Sequence, residues 1–278
     1  MNTTTPVRLA ILDLYNRAPN QGMRCIKTIL DDYALQNDRS IDYRIFETRY
    51  TNEVPRADAF DIYLSTGGPG SPYDGEGLPW ERKYFDLIDG LWNHNQRNTD
   101  QKKHVFFICH SLQMMCRHFS LGEVTRRRST AFGIFPIHKT EAGDQDPVFE
   151  GLPEPFYAVD SRDWQVVQPN QARLESLGGT VLAIEKDRPH VDLERAVMAI
   201  RLSGEFFGTQ FHPEADAEGM STYFQQPEKR EQITALHGEA KYQEMIRCLH
   251  DPNRTDLTQR TILPNFLNLS IGALQETA

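Results

Sequence analysis

The feature that most constrains the fold is an alternation of short apolar runs with helical patterns over residues 7–119. Two of the runs are almost continuously apolar, as strands of a parallel sheet are when both of their faces are buried. The predicted strands are residues 7–15, 41–46, 61–66 and 104–109. The longest helical segment, 79–97, begins with Pro79 at a first helical position. This order predicts an α/β fold, a three-layer sandwich with a mostly parallel central sheet between layers of helices.

From about residue 132 the pattern changes to short strands separated by turn residues. These segments are 131–140, 155–161, 180–186, 195–203 and 205–212. We expect them to add antiparallel strands to the same sheet. Residues 215–255 are polar with an imperfect apolar stripe, which predicts a helical insertion. The apolar group at 262–269 is expected to pack back on the body, so that residues 1–278 form a single domain.

The composition excludes some classes of partner. The chain has 278 residues and 39% hydrophobic content, which is enough for a substantial core. Lys and Arg total 30 against 39 Asp and Glu, and the net charge of -9 opposes a phosphate backbone. We therefore expect no nucleic-acid partner. The basic triplet at 126–128 is expected to be a solvated loop.

The sequence also indicates a cytoplasmic protein that has no membrane partner. No apolar segment approaches the ~20 residues that a spanning helix needs, and the first residues lack the apolar core of a signal peptide. The four cysteines are widely spread and do not suggest a disulfide framework, so reduced thiols are expected.

The first candidate for chemistry is Cys109, where the run HVFFIC ends and the helical pattern SLQMMCRHF soon begins. A nucleophile on a sharp strand-to-helix turn has its side chain pushed outward, beside the N-terminus of the helix. The helix end favours the thiolate form of a cysteine, and the N–H of the next residue can hold an oxyanion. Cysteine is also among the most buried residue types, so a core thiol is the alternative interpretation.

The second candidate is the sequence GTQFHPE at 208–214, which places His212 and Glu214 at the end of a predicted strand. Side chains two apart in an extended chain point the same way, and Pro213 fixes the backbone between them. Glu214 can therefore orient His212 and stabilise its charged form, as in a triad whose nucleophile is Cys109. A surface pair is the alternative for such residues on their own.

The third candidate is the glycine-rich loop STGGPGSP at 65–72. Glycines allow the backbone to approach a ligand and to turn an N–H inward. A phosphate cradle or a plain turn is the competing interpretation, but neither GxGxxG nor GxxxxGK[ST] is present at this loop. All three candidates follow predicted strands, and open α/β sheets build their sites at the carboxyl ends of strands.

A metal site is a weaker alternative. Cys109, Cys116 and His118 are close in sequence, but residues 116 and 118 project from different sides of a helix. We therefore expect neither a metal nor another cofactor.

Taken in order, GGPGS, the cysteine within ICHSLQ, and GTQFHPE resemble the class I glutamine amidotransferase domain. The resemblance covers about residues 7–214 and is closest to the amidotransferase portion of GMP synthase and its stand-alone relatives. DPVFEGLPEPF at 146–156 is similar to a turn of that family, and PNFLNL at 264–269 is similar to its closing helix. The resemblance implies a flavodoxin-like fold and a cysteine-dependent enzyme that acts on glutamine.

The resemblance also implies a mechanism. Cys109 would attack the side-chain amide of glutamine while the backbone N–H groups of Gly68 and His110 form the oxyanion hole. His212 would protonate the departing ammonia and then activate water against the glutamyl thioester, with Glu214 holding His212 in place.

Three further residues are implied to bind the substrate. Gln113 stands at the family's glutamine-binding position, and the segment at Ser161 and Arg162 stands where relatives commonly carry Ser-His or Asn-His. We expect Arg162 to contact a substrate carboxylate, with an exposed arginine as the alternative. This difference leaves the identity of the substrate open.

The chain departs from the family pattern beside the nucleophile. Relatives usually have glycine two residues before and two residues after the cysteine, where this chain has Phe107 and Ser111. Serine is small enough for the turn, whereas Phe107 requires a rearranged neighbourhood or must point into the core. We expect the side chain of His110 to face solvent while only its N–H is used.

Three functions are consistent with these residues. The first is a glutamine amidotransferase that passes ammonia to an unknown acceptor, with a possible separate synthase subunit and a possible homodimer. The second is a hydrolase of γ-glutamyl compounds. The third is a catalytically silent relative that binds a metabolite or partner, which Phe107 favours.

Overall fold

The computed structural model describes residues 6–189, 193–249, 251 and 254–276. Within these ranges a nine-stranded sheet forms the centre of the molecule. The strands are Val7–Leu12 (β1), Ile41–Phe46 (β2), Ile62–Ser65 (β3), His104–Ile108 (β4), Glu123–Lys139 (β5), Phe156–Val167 (β6), Thr180–Glu185 (β7), Val197–Arg201 (β8) and Phe206–Thr209 (β9).

The sheet has a parallel half and an antiparallel half. The strand order is β2-β1-β3-β4-β9-β8-β7-β5-β6, and the pairings from β2 through to β9 are all parallel. The remaining pairings, from β9 through to β6, are antiparallel. The predicted parallel strands and the predicted antiparallel additions are both confirmed, and they form one continuous sheet. Strand β9 belongs to both halves, since it pairs in parallel with β4 and antiparallel with β8.

Helices cover both faces of the sheet, so the predicted α/β sandwich is confirmed. The helices in the described ranges are Gly22–Gln36 (α1), Thr48–Thr51 (α2), Pro79–Arg97 (α3), His110–Phe119 (α4), Glu141–Asp144 (α5), Gln171–Leu177 (α6), Ala217–Phe224 (α7), Pro227–His237 (α8), Glu239–Leu249 (α9) and Thr255–Glu276 (α10). None of them is both long and apolar enough to cross a membrane.

Alternating side chains of the central strands enter two separate cores. On β4, Phe106 and Ile108 pack on the side of α1 and α10, whereas Val105 and Phe107 pack on the side of α3 and α4. All four side chains are fully buried. Burial on both faces explains why the sequence of β4 is apolar without alternation.

The chain after β9 is helical, as predicted. Helices α7 to α9 pack on the antiparallel half through a third apolar cluster, which includes Ile134 of β5, Val159 of β6 and Met245 of α9. The predicted insertion at 215–255 also includes residues 250, 252 and 253, which lie outside the described residues. The apolar segment 262–269 lies in α10, where Ile262 and Phe266 are buried in the core beside α1.

The basic triplet at 126–128 does not form the expected loop. It lies on β5, and the Arg127 side chain is only 7% exposed, with its guanidinium 3.0 Å from a Glu185 oxygen. The expectation was wrong because Glu185, which lies 58 residues later on the adjacent β7, compensates the charge of Arg127.

Candidate active site

A cavity of about 510 Å³ opens at the carboxyl ends of the parallel strands. Its walls come from the loops after β1, β3, β4 and β9, together with β6 and α7. The structure brings the predicted triad residues Cys109, His212 and Glu214 to this cavity. Gly68 and His110, the residues of the predicted oxyanion hole, also line it.

Cys109 occupies a sharp turn between β4 and α4. Its φ of 49° and ψ of -100° lie in a region that residues with a Cβ rarely adopt, as is typical of a nucleophile held on a strained turn. The Cys109 N–H donates to the Thr209 carbonyl at 2.7 Å, which fixes the turn against the end of β9. His110 begins α4, where backbone N–H groups have no acceptor inside the helix. An N–H at this position is available to a ligand.

The two departures from the family pattern are accommodated by neighbouring strands. Phe107 points into the core and pairs with Gly208 of β9, where a Cβ would lie 3.1 Å from the Phe107 Cβ. The glycine that this close approach requires is therefore on the facing strand. The buried Ser111 hydroxyl donates to the Ser65 carbonyl and accepts from the Ile108 N–H, both at 2.8 Å. These bonds tie α4 to the ends of β3 and β4.

His212 and Glu214 form a hydrogen-bonded pair. His212 Nδ1 lies 2.9 Å from Glu214 Oε1, and the two side chains are 17% and 1% exposed. The His212 N–H donates to the Val159 carbonyl at 2.8 Å, which anchors the loop to β6. Burial lowers the pKa of His212, but the charges of Glu214 and Cys109, with hydrogen bonds to both, raise this pKa well above its usual value. The imidazolium form is therefore favoured beside the sulfur.

Tyr15 is a further member of the site that the sequence analysis missed. Its hydroxyl donates to Glu214 Oε1 at 3.5 Å, and the side chain is 7% exposed. Burial raises the pKa of Tyr15 well above its usual value, and the Glu214 carboxylate raises it further. The phenol therefore stays protonated and acts as a donor. The available signal was the polar hydroxyl at the end of the first predicted strand.

The loop that carries Gly68 is fixed from two sides. A Cβ at residue 68 would lie 2.6 Å from the Leu14 carbonyl oxygen, so the loop after β1 leaves room only for glycine. On the other side, Arg49 Nη1 donates to the Pro69 carbonyl at 2.6 Å. These contacts hold the Gly68 segment rigidly beside the cavity.

Gln113 and Gln210 form a chain of hydrogen bonds that ends at the Cys109 sulfur. Gln113 Nε2 donates to the Trp164 carbonyl and to Gln210 Oε1, both at 3.1 Å. A carbonyl oxygen only accepts hydrogen bonds, so the Gln113 side-chain atom that contacts the Trp164 carbonyl must be its nitrogen. That nitrogen donates, so the Gln210 atom beside it must be the amide oxygen. Gln210 must then present its own nitrogen to Cys109, with Nε2 at 3.5 Å from Sγ. Gln210, which follows the end of β9 and precedes His212 by two residues, is a member of the site that the sequence analysis missed.

Ser161 and Arg162, the residues expected to bind the substrate, both line the cavity but differ in their contacts. Ser161 lines the cavity, and its carbonyl accepts a hydrogen bond from the Cys109 sulfur at 3.8 Å. The Arg162 side chain is only 1% exposed and donates to Asp160 at 2.9 Å. The exposed arginine given as the alternative is not observed, because the guanidinium is buried against Asp160. Substrate binding by Gln113, Ser161 and Arg162 stays a prediction.

The His110 side chain does not face solvent, which corrects another expectation. It is 2% exposed, and Nε2 has no hydrogen-bond partner among the described residues. Burial, with a smaller contribution from the nearby Arg49 charge, lowers the pKa of His110 to about 3. The imidazole is therefore neutral near pH 7 and does not act as an acid there.

Curated relatives and solved structures are similar to this chain in sequence and in fold. A GMP synthase [glutamine-hydrolyzing] from Thermotoga petrophila is 29% identical over 190 residues, which cover 66% of this chain and 31% of that protein. The chain thus spans about a third of that relative's length. A glutamine amidotransferase structure from Thermotoga maritima superposes with a TM-score of 0.68 at 13% identity, covering 96% of this chain and 99% of that one.

Another solved structure gives the same result for the fold. A glutamine amido transferase from Methylobacillus flagellatus superposes with a TM-score of 0.65 at 17% identity, covering 97% of this chain and 95% of that one. The family model described as glutamine amidotransferase class-I matches residues 26–226, a segment that contains the nucleophile turn and the His212–Glu214 pair. The chain belongs to the class I glutamine amidotransferase family.

Proposed function

We propose that the chain hydrolyses the side-chain amide of glutamine through a cysteine-bound thioester. The observation that carries this proposal is the convergence of Cys109, His212 and Glu214 on one cavity. The imidazole is already hydrogen-bonded to the carboxylate, and the cysteine stands at the start of a helix. Both features suit a nucleophile and its general acid.

In the first half of the reaction the Cys109 thiolate attacks the amide carbon, and a C–S bond forms as the carbonyl oxygen becomes an oxyanion. The N–H groups of Gly68 and His110 stabilise this oxyanion. The His212 imidazolium gives its proton to the amide nitrogen, the C–N bond breaks, and ammonia leaves. Neutral His212 then takes a proton from water, whose oxygen attacks the thioester and releases glutamate and the Cys109 thiolate.

Two buried side chains assist this cycle. Tyr15 donates to the oxygen of Glu214 that accepts from His212, which fixes the carboxylate. Gln210 donates to the Cys109 sulfur, and a hydrogen bond to a charged acceptor stabilises the charged form. The thiolate is thus the better acceptor for Gln210.

The fate of the ammonia is proposed from the relatives. The matched proteins are GMP synthases, and the chain spans about a third of their length. We propose that a separate synthase subunit receives the ammonia. The chain itself is proposed to be a single domain, in which the insertion at 215–255 closes one wall of the cavity through Gly219, Met220 and Tyr223 of α7.

A labelling experiment tests the nucleophile. The chain is incubated with a chloroketone analogue of glutamine, and its intact mass is measured. One label on wild type and none on Cys109→Ala is expected, together with ammonia release from glutamine by wild type alone. Cys25→Ala is the matched control, because Cys25 also lines the cavity and is buried. Labelling of Cys109→Ala to the same extent, or no label and no ammonia from wild type, would contradict the proposal.

A second candidate, the hydrolysis of γ-glutamyl amides with a large amine substituent, is favoured by the size of the cavity. Its volume of about 510 Å³ exceeds the space that a glutamine side chain fills, and Phe132, Met220 and Tyr223 give it an apolar wall. The ratio of kcat/KM for γ-glutamyl anilide to that for glutamine separates the two functions. A ratio above one supports the γ-glutamyl substrate, and a ratio far below one supports glutamine.

A further inference from the structure

A second cavity, of about 210 Å³, lies between β5, β6 and β7 and is closed at one side by Met245 of α9. Thr130 and Phe132 of β5 line both this cavity and the one that contains Cys109. The two cavities are therefore neighbours. The triad mechanism uses none of the charged residues of the second cavity.

Positive charge exceeds negative charge around this cavity. The guanidinium groups of Arg127, Arg162 and Arg188 converge on Glu185, at 3.0, 3.5 and 3.1 Å. Asp160 binds Arg162 at 2.9 Å, and the ammonium of Lys186 adds a further positive charge to the lining. The cavity lining thus has three cations, Arg127, Lys186 and Arg188, and two carboxylates. Arg162, which contacts both carboxylates and lines the first cavity, raises the formal charge of the cluster to +2.

The two carboxylates are already fully used by their partners. Glu185 accepts on both oxygens, since Arg127 reaches Oε1 while Arg188 and the Ala196 N–H reach Oε2. Both oxygens of Asp160 accept from Arg162. Neither carboxylate can therefore compensate another cation.

One guanidinium N–H remains unpaired in this cluster. Arg188 Nε is buried and has no hydrogen-bond partner among the described residues. A buried donor without an acceptor is costly, and the cost is greater for a charged group. Burial lowers the pKa of Arg127, and the neighbouring Arg162 charge lowers it further, as expected where positive charge is in excess. These features indicate a missing anionic acceptor.

The apolar part of the lining suggests what carries the anionic group. Phe132, Phe135, Pro136 and Met245 face the same cavity as the cations. A lone inorganic ion would leave these side chains without contact, whereas a short carbon skeleton would cover them. The ligand chemistry that fits is an organic acid or phosphate ester of a few carbon atoms.

We propose that this cavity binds a small organic anion, whose carboxylate or phosphate is held by Arg188 and Lys186 and whose carbon skeleton lies against Phe135 and Met245. The site is distinct from the cavity of the triad. It is linked to that cavity by β6, because Asp160 and Arg162 belong to the cluster while the Ser161 carbonyl between them contacts the Cys109 sulfur.

Isothermal titration calorimetry on the full chain tests the proposal, with succinate, phenyl phosphate and inorganic phosphate as probes at constant ionic strength. We expect binding of at least one organic probe, weakened about ten-fold or more in Arg188→Gln. Lys186→Gln is expected to weaken it too and leaves the ion pairs intact. Arg82→Gln is the matched control, because Arg82 is exposed on α3, and its binding should equal that of wild type.

Three results would overturn the proposal. The first is the absence of binding heat with every organic probe up to about 10 mM. The second is equal affinity in Arg188→Gln, Lys186→Gln and wild type. The third is loss of binding in Cys109→Ala, since it would place the anion beside the nucleophile. A preference for inorganic phosphate over both organic probes would contradict the role given to the apolar wall.

Discussion

Replacement of Gln210 by Met tests the hydrogen bond that ends at the nucleophile. Methionine has a similar volume and no donor, so Gln210→Met removes the N–H that contacts Cys109 Sγ at 3.5 Å. The change leaves Gln113 with its bond to the Trp164 carbonyl. The thiolate should lose its donor while the surrounding packing stays intact.

The expected magnitude follows from the charge of the acceptor. A hydrogen bond to a charged group contributes about 1.5 to 3 kcal/mol, and the long contact to sulfur places this one near the lower end, at about 1 to 2 kcal/mol. Since about 1.4 kcal/mol is a factor of ten, the rate of Cys109 alkylation, which requires the thiolate, should fall about 5- to 30-fold.

The assay is alkylation by iodoacetamide at pH 6.5, followed by peptide mapping so that each cysteine is measured separately. Cys25 should not compete, because burial raises its pKa to about 12. Gln36→Met is the matched control, since Gln36 is exposed at the end of α1. An alkylation rate in Gln210→Met equal to that of wild type would refute the assignment of a donor role to Gln210.

Three further predictions concern the triad, the buried histidine and the turn. Glu214→Gln should lower glutamine turnover roughly 10³- to 10⁴-fold without changing the melting temperature by more than a few degrees, because His212 loses its orienting charge. Glu228→Gln, at an exposed position, is the control, and unchanged turnover in Glu214→Gln would make Glu214 a structural carboxylate. Burial lowers the pKa of His110 to about 3, so between pH 6.5 and 3 the unfolded chain binds a proton that the folded chain does not. Stability is thus lost as pH falls, and from pH 7 to 4.5 the free energy of unfolding of wild type should fall about 2 to 3 kcal/mol more than that of His110→Gln, as measured in urea; equal losses would exclude a neutral buried imidazole. Gly208→Ala should lower the free energy of unfolding by about 1 to 3 kcal/mol, because its Cβ would meet Phe107 and Leu112. Gly204→Ala, where nothing lies within 4 Å, should change it by less than about 0.5 kcal/mol, and equal effects of the two alanines would contradict the close approach.

The parallel half of the sheet could be predicted because strands that are buried on both faces are apolar at nearly every position. The strand at 41–46 and the helix at 79–97 have the predicted bounds, and β3 and β4 differ from prediction by one residue at one or both ends. The triad candidates could also be found, since His212 and Glu214 lie in one short motif, although a turn closed by the Ala215 N–H and the His212 carbonyl at 3.3 Å joins them instead of the expected extended chain. In each case the pattern lies within a few consecutive residues.

The misplaced residues depend on partners that are remote in sequence. The sequence near Arg127 predicts an exposed loop, and only the folded sheet brings Glu185 of β7 beside it. The same holds for Arg162, whose guanidinium lies 3.5 Å from the remote Glu185 as well as beside its neighbour Asp160. Hydrophobic periodicity reports the average preference of a residue type for the core or for the surface. Whether a particular charge can be buried depends instead on whether a group of opposite charge lies beside it.

The turn at Cys109 also depends on a residue that is remote in sequence. A glycine two residues before the cysteine is one way to let two strands approach closely, and Phe107 is incompatible with that solution. The close approach, however, is a property of the pair of strands, so it can be satisfied by a small residue on either one. Here Gly208 on β9 faces Phe107 on β4, and the Phe107 ring fills the core on the side of α3 and α4. Phe107 examined on β4 alone suggests a damaged site, but the pairing of β4 with β9 shows that the glycine on the facing strand accommodates it.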